Sequence, residues 1–183
     1  MASSHGRRWG PPARGWTLVE ALVVTAVLGV LAALALPAWQ QLVDHTRLRG
    51  ATEAQVATLR LTMSESIKRG RPVSVSYREA LPGTDWCFGL SVDTGCDCRV
   101  AGQCLIDGVE RVSWGRDHPG ISIAVGLSGK RFSFQPRRGT VTAGHVQFTA
   151  AQGKSLRVVV SGLGRIRTCS PAGAARLSGY PVC

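Results

Sequence analysis

Acidic residues are missing from the last third of this chain. Asp117 is the final one, and the 66 residues after it contain nine lysines and arginines but no aspartate or glutamate. Catalysis by a pair of carboxylates is therefore excluded from this part of the chain, because such a pair needs two acidic groups. A surface with charges of one sign attracts polyanions, with nucleic acid as the first candidate and acidic lipid or lipopolysaccharide as the second.

Aromatic residues are also few, at 6% of the chain, and the core is expected to need most of them. The sequence contains no recognition-helix signature and no aromatic pattern of an RNA-recognition motif. Any contact with nucleic acid is therefore expected to be electrostatic and independent of base sequence. The four histidines have no serine, cysteine or carboxylate partner at motif spacing. We therefore predict that the protein is not an enzyme and has no cofactor.

A long apolar run occurs once, at residues 21–36, and a short basic segment with three arginines precedes it. Residues 16–39 correspond to roughly 36 Å of helix, which is enough to cross a bilayer. A secretory signal peptide has the same order of basic and apolar segments, with residues 33–35 as a candidate cleavage site. However, Glu20 stands at the head of the apolar run and no polar cleavage region follows it.

The head of the run reads Gly15-Trp16-Thr17-Leu18-Val19-Glu20. A carboxylate in an apolar environment is costly unless a positive charge neutralises it. Cleavage after Gly15 would create an α-amine at Trp16, and such an amine on a neighbouring copy would supply that charge. The pattern resembles the class III signal of type IV prepilins and pseudopilins, with Trp16 in the usual phenylalanine position and Pro37 as the family's helix-kinking proline. The resemblance implies cleavage by a prepilin peptidase, N-methylation of Trp16 and a role for Glu20 in filament assembly.

After Pro37 the pattern becomes that of an amphipathic helix, whose predicted apolar face is Val56, Leu59, Met63 and Ile67. Gly70 and Pro72 predict that this helix ends at about Arg69. We therefore expect a leader at residues 1–15, a helix at residues 16–70 and a globular domain at residues 71–183. The half of the helix at residues 16–39 is expected to lie in the membrane or in a filament core.

From Pro72 onward, short alternating runs are separated by glycine and proline turns. Strands at this spacing predict an antiparallel sandwich or two small sheets. The predicted fold is thus α+β, with a long N-terminal helix packed on an antiparallel β-sandwich, as in type IV pilins. The predicted strands are residues 73–77, 86–92, 109–114, 121–125, 131–134, 145–149, 155–160 and 165–169.

The six cysteines form two groups, which are Cys87, Cys96, Cys98 and Cys104 in the first and Cys169 and Cys183 in the second. In a translocated chain, cysteines at such numbers indicate disulfides. We expect two bridges within the first group and one Cys169–Cys183 bridge that fastens the tail. A zinc site made of the first four thiolates is the alternative. Their spacing is poor for zinc, and we predict no metal.

The sequence Gly164-Arg165-Ile166-Arg167 lies near the C-terminal end. Strand alternation turns Ile166 inward and both arginines outward. Together with the segment from Phe134 to Gly139, which contains a Phe-x-Pro and a downstream glycine, this motif resembles the FimT/GspH group of minor pilins and pseudopilins. FimT members are similar to DNA-binding minor pilins that use a C-terminal G-R-x-R. The resemblance therefore implies DNA binding by Gly164, Arg165 and Arg167.

The sequence thus predicts a minor type IV pilin that binds extracellular double-stranded DNA without sequence specificity during natural transformation. The main alternative is a structural minor pseudopilin of a type II secretion system. In that case the two arginines would only protect a sheet edge from aggregation. Adhesion to an anionic surface polymer is a third possibility. Basic residues in turns are secondary candidates for DNA contact, and these are Lys130, Arg137, Arg138 and Lys154.

The expected partners are double-stranded DNA, other pilins of the filament and the prepilin peptidase. The precursor is expected in the inner membrane of a Gram-negative bacterium as a single-pass protein. After processing it is expected in the periplasm or in a pilus at the cell surface.

Overall fold

The computed structural model describes residues 15–81, 85–92, 95–137 and 139–183. One long helix, α1 (Leu18–Arg69), precedes all the strands. In chain order these strands are β1 (Val73–Arg78), β2 (Cys87–Val92), β3 (Leu105–Ile106), β4 (Val109–Glu110), β5 (Val112–Trp114), β6 (Ile121–Gly126), β7 (Arg131–Phe134), β8 (Gly144–Ala150), β9 (Ser155–Val160) and β10 (Ile166–Cys169). Short 3₁₀ turns occur at Gly115–Asp117 and Ser128–Lys130. The chain divides into two units between Gln40 and Gln41.

The first unit contains the N-terminal part of α1. Thr17 precedes the helix, and its hydroxyl oxygen accepts a hydrogen bond from the backbone N–H of Glu20 at 3.2 Å. This bond satisfies one of the backbone donors that the start of a helix leaves without a partner. In the part of the chain that is described, α1 is the one helix that is long and apolar enough to cross a membrane.

In the second unit, α1 packs on the β-domain through a face that overlaps the predicted one but does not include Ile67. Leu59 is buried as expected and Val56 and Met63 are partly buried, but Ile67 is 58% exposed. The fully buried positions are Leu48, Ala51, Thr52, Gln55, Leu59, Thr62 and Ser66. Hydroxyl groups are tolerated in this interface because they donate to carbonyls one turn earlier, as Thr62 does to Thr58 at 2.7 Å.

The helix ends where the sequence predicts. Gly70 has a φ of +63°, a conformation that glycine adopts without a steric penalty. Its N–H donates to the carbonyl of Ile67 at 3.2 Å, which closes the last turn. Pro72 then has no N–H to continue the helical hydrogen bonds.

Two four-stranded antiparallel sheets form the β-domain, which confirms the predicted α+β fold. The first sheet has the strand order β5-β2-β1-β7, and the second sheet has the order β10-β9-β8-β6. Side chains from α1 and from both sheets share one core. Its largest fully buried members include Tyr77, Phe88, Phe132, Phe134 and Phe148.

Most strands lie within one or two residues of their predicted positions, but residues 109–114 do not form one strand. They divide at Arg111 into β4, which pairs with β3, and β5, which pairs with β2. The β3 strand was not predicted, because a strand of two residues has no alternating pattern to detect. The carbonyl of Arg111 accepts a hydrogen bond from Leu90 and its N–H donates to the carbonyl of Cys104, so this residue is held at the division.

The cysteine-rich segment lies against the face of the first sheet that points away from the core. Ser76 and Gly89 are paired on this face, and the N–H of Cys96 donates to the hydroxyl of Ser76 at 3.2 Å. A side chain at Gly89 would overlap Cys104. Because the cysteine-rich segment covers this face, β1 is buried on both faces although its sequence alternates between apolar and polar residues.

Candidate nucleic-acid interface

The G-R-x-R motif begins in a tightly bonded turn between β9 and β10, which we call the hairpin loop (residues 161–165). The N–H of Ser161 donates to the carbonyl of Arg165 at 3.0 Å, and the N–H of Gly164 donates to the carbonyl of Ser161 at 2.9 Å. The N–H of Arg165 in turn donates to the hydroxyl of Ser161 at 3.2 Å. These three bonds fix the backbone that carries the first arginine.

A second turn lies against the hairpin loop and supports it. This proline turn, residues 135–137 and 139–141, follows β7. The N–H of Val141 donates to the carbonyl of Gly162 at 3.1 Å. A Cβ atom at Gly164 would lie 3.1 Å from the carbonyl oxygen of Gly139. The fold thus brings together the two separated sequence segments that carry the family resemblance.

Arg165 and Arg167 are both exposed, and Ile166 between them is half-buried against the core. The strand begins one residue later than predicted, because the backbone of Arg165 closes the hairpin loop. Arg167 lies on β10, at the edge of the second sheet, opposite Val159. The edge position also fits the alternative in which the arginines only discourage pairing with another chain.

Some basic residues of the chain form ion pairs with carboxylates and others do not. Lys130 donates to the carboxylate of Glu79, and Arg78 pairs with Asp97 at 2.9 Å. Within the described residues, no ion pair involves Arg137, Arg165 or Arg167, and Arg137 is exposed as the other two are. Among the described residues, no carboxylate therefore competes with an external anion for these three arginines.

The remaining secondary candidates differ in their surroundings. Lys130 is partly neutralised by Glu79, whose pKa is lowered first by the hydrogen bond from Lys130 and then by one from the backbone of Val125. Lys154 donates to the carbonyl of Ala174 at 3.0 Å and so holds the C-terminal tail. Arg138 lies outside the described residues.

The outer face of the second sheet adds residues that the sequence prediction did not include. The register places His145 and Val159 in one row with Arg167. Arg157 lies in the next row and donates to the side-chain oxygen of Gln147 at 2.8 Å. Burial, and then the charge of Arg157, lowers the pKa of His145 below its ordinary value of 6.5, which disfavours a positive charge on its ring. The alternating pattern Leu156-Arg157-Val158 could have indicated that Arg157 points outward.

All six cysteines form disulfides, in the pairs Cys87–Cys98, Cys96–Cys104 and Cys169–Cys183. The four cysteines of the first group are therefore oxidised to two disulfides and supply no thiolate to a zinc ion. Among the described residues, no group of three or more histidine, cysteine, aspartate or glutamate side chains could hold a metal. The third bridge joins the end of β10 to the C-terminus, so the tail is fastened next to the strand of Arg167.

Residues 15–17, which contain the predicted cleavage point, precede α1 and are exposed. Among the described residues, no heavy atom apart from the chain neighbours of Gly15 lies within 4 Å of the position that a Cβ atom would take there, and the side chain of Trp16 is 74% exposed. The peptide bond between them is therefore accessible in the first unit. Glu20 lies in the first turn of α1.

Comparison with known families gives the identity of the β-domain and of the helix that packs on it. The model of one family, described as Type II transport protein GspH, matches residues 51–164, which is more than half of the chain. The chain belongs to the GspH family. This membership confirms the resemblance to minor pilins and pseudopilins that the sequence motifs indicate.

Individual proteins that resemble this chain share either a short aligned segment or a low sequence identity with it. Two fimbrial proteins of Pseudomonas aeruginosa are 32% identical over 60 residues, which cover 33% of this chain and 38% of theirs. The type IV minor pilin FimU of Pseudomonas aeruginosa is 19% identical, with a TM-score of 0.48 over 69% of this chain and 98% of FimU. The minor pseudopilin EpsH of the Vibrio cholerae type 2 secretion system is 15% identical, with a TM-score of 0.49 over 69% of this chain and 99% of EpsH.

Proposed function

We propose that this member of the GspH family is a minor type IV pilin that binds double-stranded DNA without sequence specificity during DNA uptake. The observation that carries the proposal is the pair of exposed arginines, Arg165 and Arg167, at a bonded hairpin with no carboxylate partner in the described residues. Guanidinium groups bind phosphate oxygens through two parallel N–H donors, which makes arginine well suited to this ligand.

The geometry of the hairpin supports contact with a phosphate backbone. The Cα atoms of Arg165 and Arg167 are at most about 7 Å apart, because only one residue separates them in the chain. This distance is comparable with that between neighbouring phosphates along one strand. Gly164 is buried against the carbonyl of Gly139, so it fixes the hairpin backbone that carries Arg165. Arg137 is carried by the proline turn beside the hairpin loop. Phosphate contacts of this kind fix position without reading sequence.

The other parts of the chain serve membrane anchoring, processing and assembly of the filament. The segment at residues 16–39 anchors the precursor in the inner membrane and then packs among other pilins in the filament. A prepilin peptidase removes residues 1–15, Trp16 becomes N-methylated, and Glu20 neutralises the amine of a neighbouring copy. The β-domain at residues 71–183 is then displayed in the periplasm or on the pilus. No catalytic role and no cofactor are proposed.

The test is DNA binding by the full chain in a non-ionic detergent, measured on duplexes of arbitrary sequence. We expect weak binding, with a micromolar-range dissociation constant that is typical of non-specific contact. If about three phosphates are neutralised, affinity should fall roughly 40-fold between 50 and 200 mM salt, from a slope of about −0.9 per contact. The variant Arg165→Gln/Arg167→Gln should lose measurable binding while its thermal unfolding stays nearly unchanged, because exposed arginines contribute little to stability.

The matched control is Arg47→Gln/Arg60→Gln, which removes the same charge from exposed positions on α1. Equal losses in both double variants would mean that net charge, and not this hairpin, determines binding. Undiminished binding by Arg165→Gln/Arg167→Gln would exclude the site.

The second candidate function is that of a structural pseudopilin in a type II secretion system. The observation that favours it is the family description, Type II transport protein GspH. A wild-type chain that binds no DNA even at 50 mM salt would favour this alternative.

A further inference from the structure

Leu163 is the most exposed large apolar side chain in the described parts of the chain. Its side chain is 85% exposed, compared with 77% for Leu18 and 74% for Trp16 in the apolar N-terminal segment. It stands at the tip of the hairpin loop, between Gly162 and Gly164, and belongs to neither cluster of the core. The fold therefore gains no packing energy from this leucine.

The loop holds Leu163 in place although the side chain itself touches little. The backbone on both sides of it is bonded, through the carbonyl of Gly162 and the N–H of Gly164. Gly164 is further restricted by the carbonyl of Gly139. A residue presented by a fixed loop loses less conformational entropy on binding than one on a flexible segment.

The arginines of the proposed DNA site lie close to this tip. The Cα atom of Arg165 is at most about 7 Å from that of Leu163, and that of Arg167 is at most about 14 Å away. A minor groove about 6 Å wide admits a single side chain but not a two-stranded ribbon, and phosphates line both of its edges. Proteins that use this groove often place an apolar side chain between two base pairs and unstack them.

We propose that Leu163 enters the minor groove of double-stranded DNA and separates one base step, while Arg165 and Arg167 bind the phosphates beside it. This inference rests on the proposed DNA-binding function. Its consequence is a weak sequence preference without hydrogen bonds to bases, because pyrimidine–purine steps such as TA unstack more easily than others. The bound duplex should also be bent at the insertion site.

The experiment uses the full chain in non-ionic detergent and a duplex with 2-aminopurine next to a central TA step. Unstacking of this base increases its fluorescence. We expect the wild-type chain to increase the signal and Leu163→Ala to lose the increase. Leu163→Ala should bind roughly five- to tenfold more weakly with an unchanged salt dependence, because the lost contact is apolar. Leu163→Met should keep the signal, and Val109→Ala, which shortens an exposed apolar side chain on β4, should match the wild type.

Each contrary result has a separate meaning. If the wild-type chain binds DNA without a fluorescence increase, or if Leu163→Ala binds and unstacks as well as the wild type, the insertion is overturned while DNA binding stands. If the wild-type chain does not bind at low salt, the proposed function is overturned and the insertion with it. If Leu163→Ala keeps both DNA properties but is no longer incorporated into filaments, Leu163 contacts another pilin, which also overturns the insertion.

Discussion

Gly164 combines two constraints at a single residue. Its φ is +75°, where residues with a side chain are strained, and a Cβ atom there would lie 3.1 Å from the carbonyl oxygen of Gly139. The first constraint belongs to the hairpin loop itself, and the second to the contact between this loop and the proline turn. Because Gly164 is buried, the glycine of the G-R-x-R motif is needed for the position of the arginines and not for access to a ligand.

We predict that Gly164→Ala lowers the free energy of unfolding by about 1–3 kcal/mol and weakens DNA binding, because the hairpin loop must move away from Gly139. The measurement is chemical denaturation together with the binding assay. Gly153→Ala is the control, since Gly153 has a φ of +82° but no atom near its Cβ position. Equal effects of the two substitutions on DNA binding would show that contact with the proline turn does not position Arg165 and Arg167.

Thr17 and Glu20 have a local role in starting the helix, apart from the role that the resemblance to prepilins implies. The spacing of the two residues is that of a capping box, in which a threonine hydroxyl accepts from the N–H three residues later. The structure contains this bond, at 3.2 Å. A negative side chain in the first turn also interacts favourably with the helix dipole. Part of the prepilin-like pattern is thus explained by helix initiation, independently of any neighbouring subunit.

At the scale of elements, Glu79 joins the two sheets. It follows β1 of the first sheet, and its carboxylate accepts from the N–H of Val125 on β6 of the second sheet at 2.8 Å. The same carboxylate accepts from Lys130, which precedes β7. One side chain therefore links the segment after β1 to β6 and to the residue that precedes β7.

This arrangement predicts a dependence of stability on pH. Lys130 and the N–H of Val125 lower the pKa of Glu79 below its ordinary value of 4.5. A carboxylate whose pKa is lower in the folded state stabilises the fold above the unfolded value, and this contribution is lost as the pH falls below about 4.5. Because the Glu79 side chain is 32% exposed, we expect a contribution of about 1 kcal/mol or less.

The measurement is the free energy of unfolding between pH 6 and pH 3. Glu79→Gln should be less stable than the wild type at pH 6, and the difference should become smaller as the pH falls from about 4.5 toward 3. Glu53→Gln, at an exposed position on α1, should follow the wild-type curve at every pH. A constant difference between Glu79→Gln and the wild type would contradict the assignment.

Over the whole molecule, charge and hydrophobicity are segregated along the chain. Apolar residues are concentrated at residues 21–36, every acidic residue lies at or before Asp117, and the C-terminal 66 residues are basic. Four acids of the second unit, Glu65, Glu79, Asp97 and Asp107, pair with basic residues of the same chain. The basic C-terminal segment contains no acid that could neutralise it from within.

We predict that the protein isolated from its natural host begins at Trp16 and carries an N-methyl group, as the resemblance to prepilins implies. The accessible position of residues 15–17 before α1 is compatible with proteolysis there. Intact-mass spectrometry measures both features. Glu20→Gln should leave cleavage largely unchanged and reduce incorporation into filaments. A mature chain that starts at Leu36 would instead identify the segment as a secretory signal peptide.

Features that depend on neighbouring residues could be predicted from the sequence. The apolar segment follows from composition alone, and the end of α1 follows from Gly70 and Pro72. Most strands, but not β3, β4 and β5, follow from alternation to within one or two residues. The grouping of the cysteines also indicated the Cys169–Cys183 bridge that the structure contains. In each case the determining interactions are local, or the number of arrangements is small.

Features that depend on distant residues were decided by tertiary structure. The sequence could not show that Ile67 would be exposed and Gln55 buried, because the side chain of Gln55 donates to Tyr77, 22 residues away. It also could not separate Lys130 from Arg137, because Glu79 lies 51 residues before Lys130. The sequence therefore determined which residues are candidates for the DNA site. The packing of the proline turn on the hairpin loop decided which of them lie on adjacent turns, because such contacts form only when the whole β-domain folds.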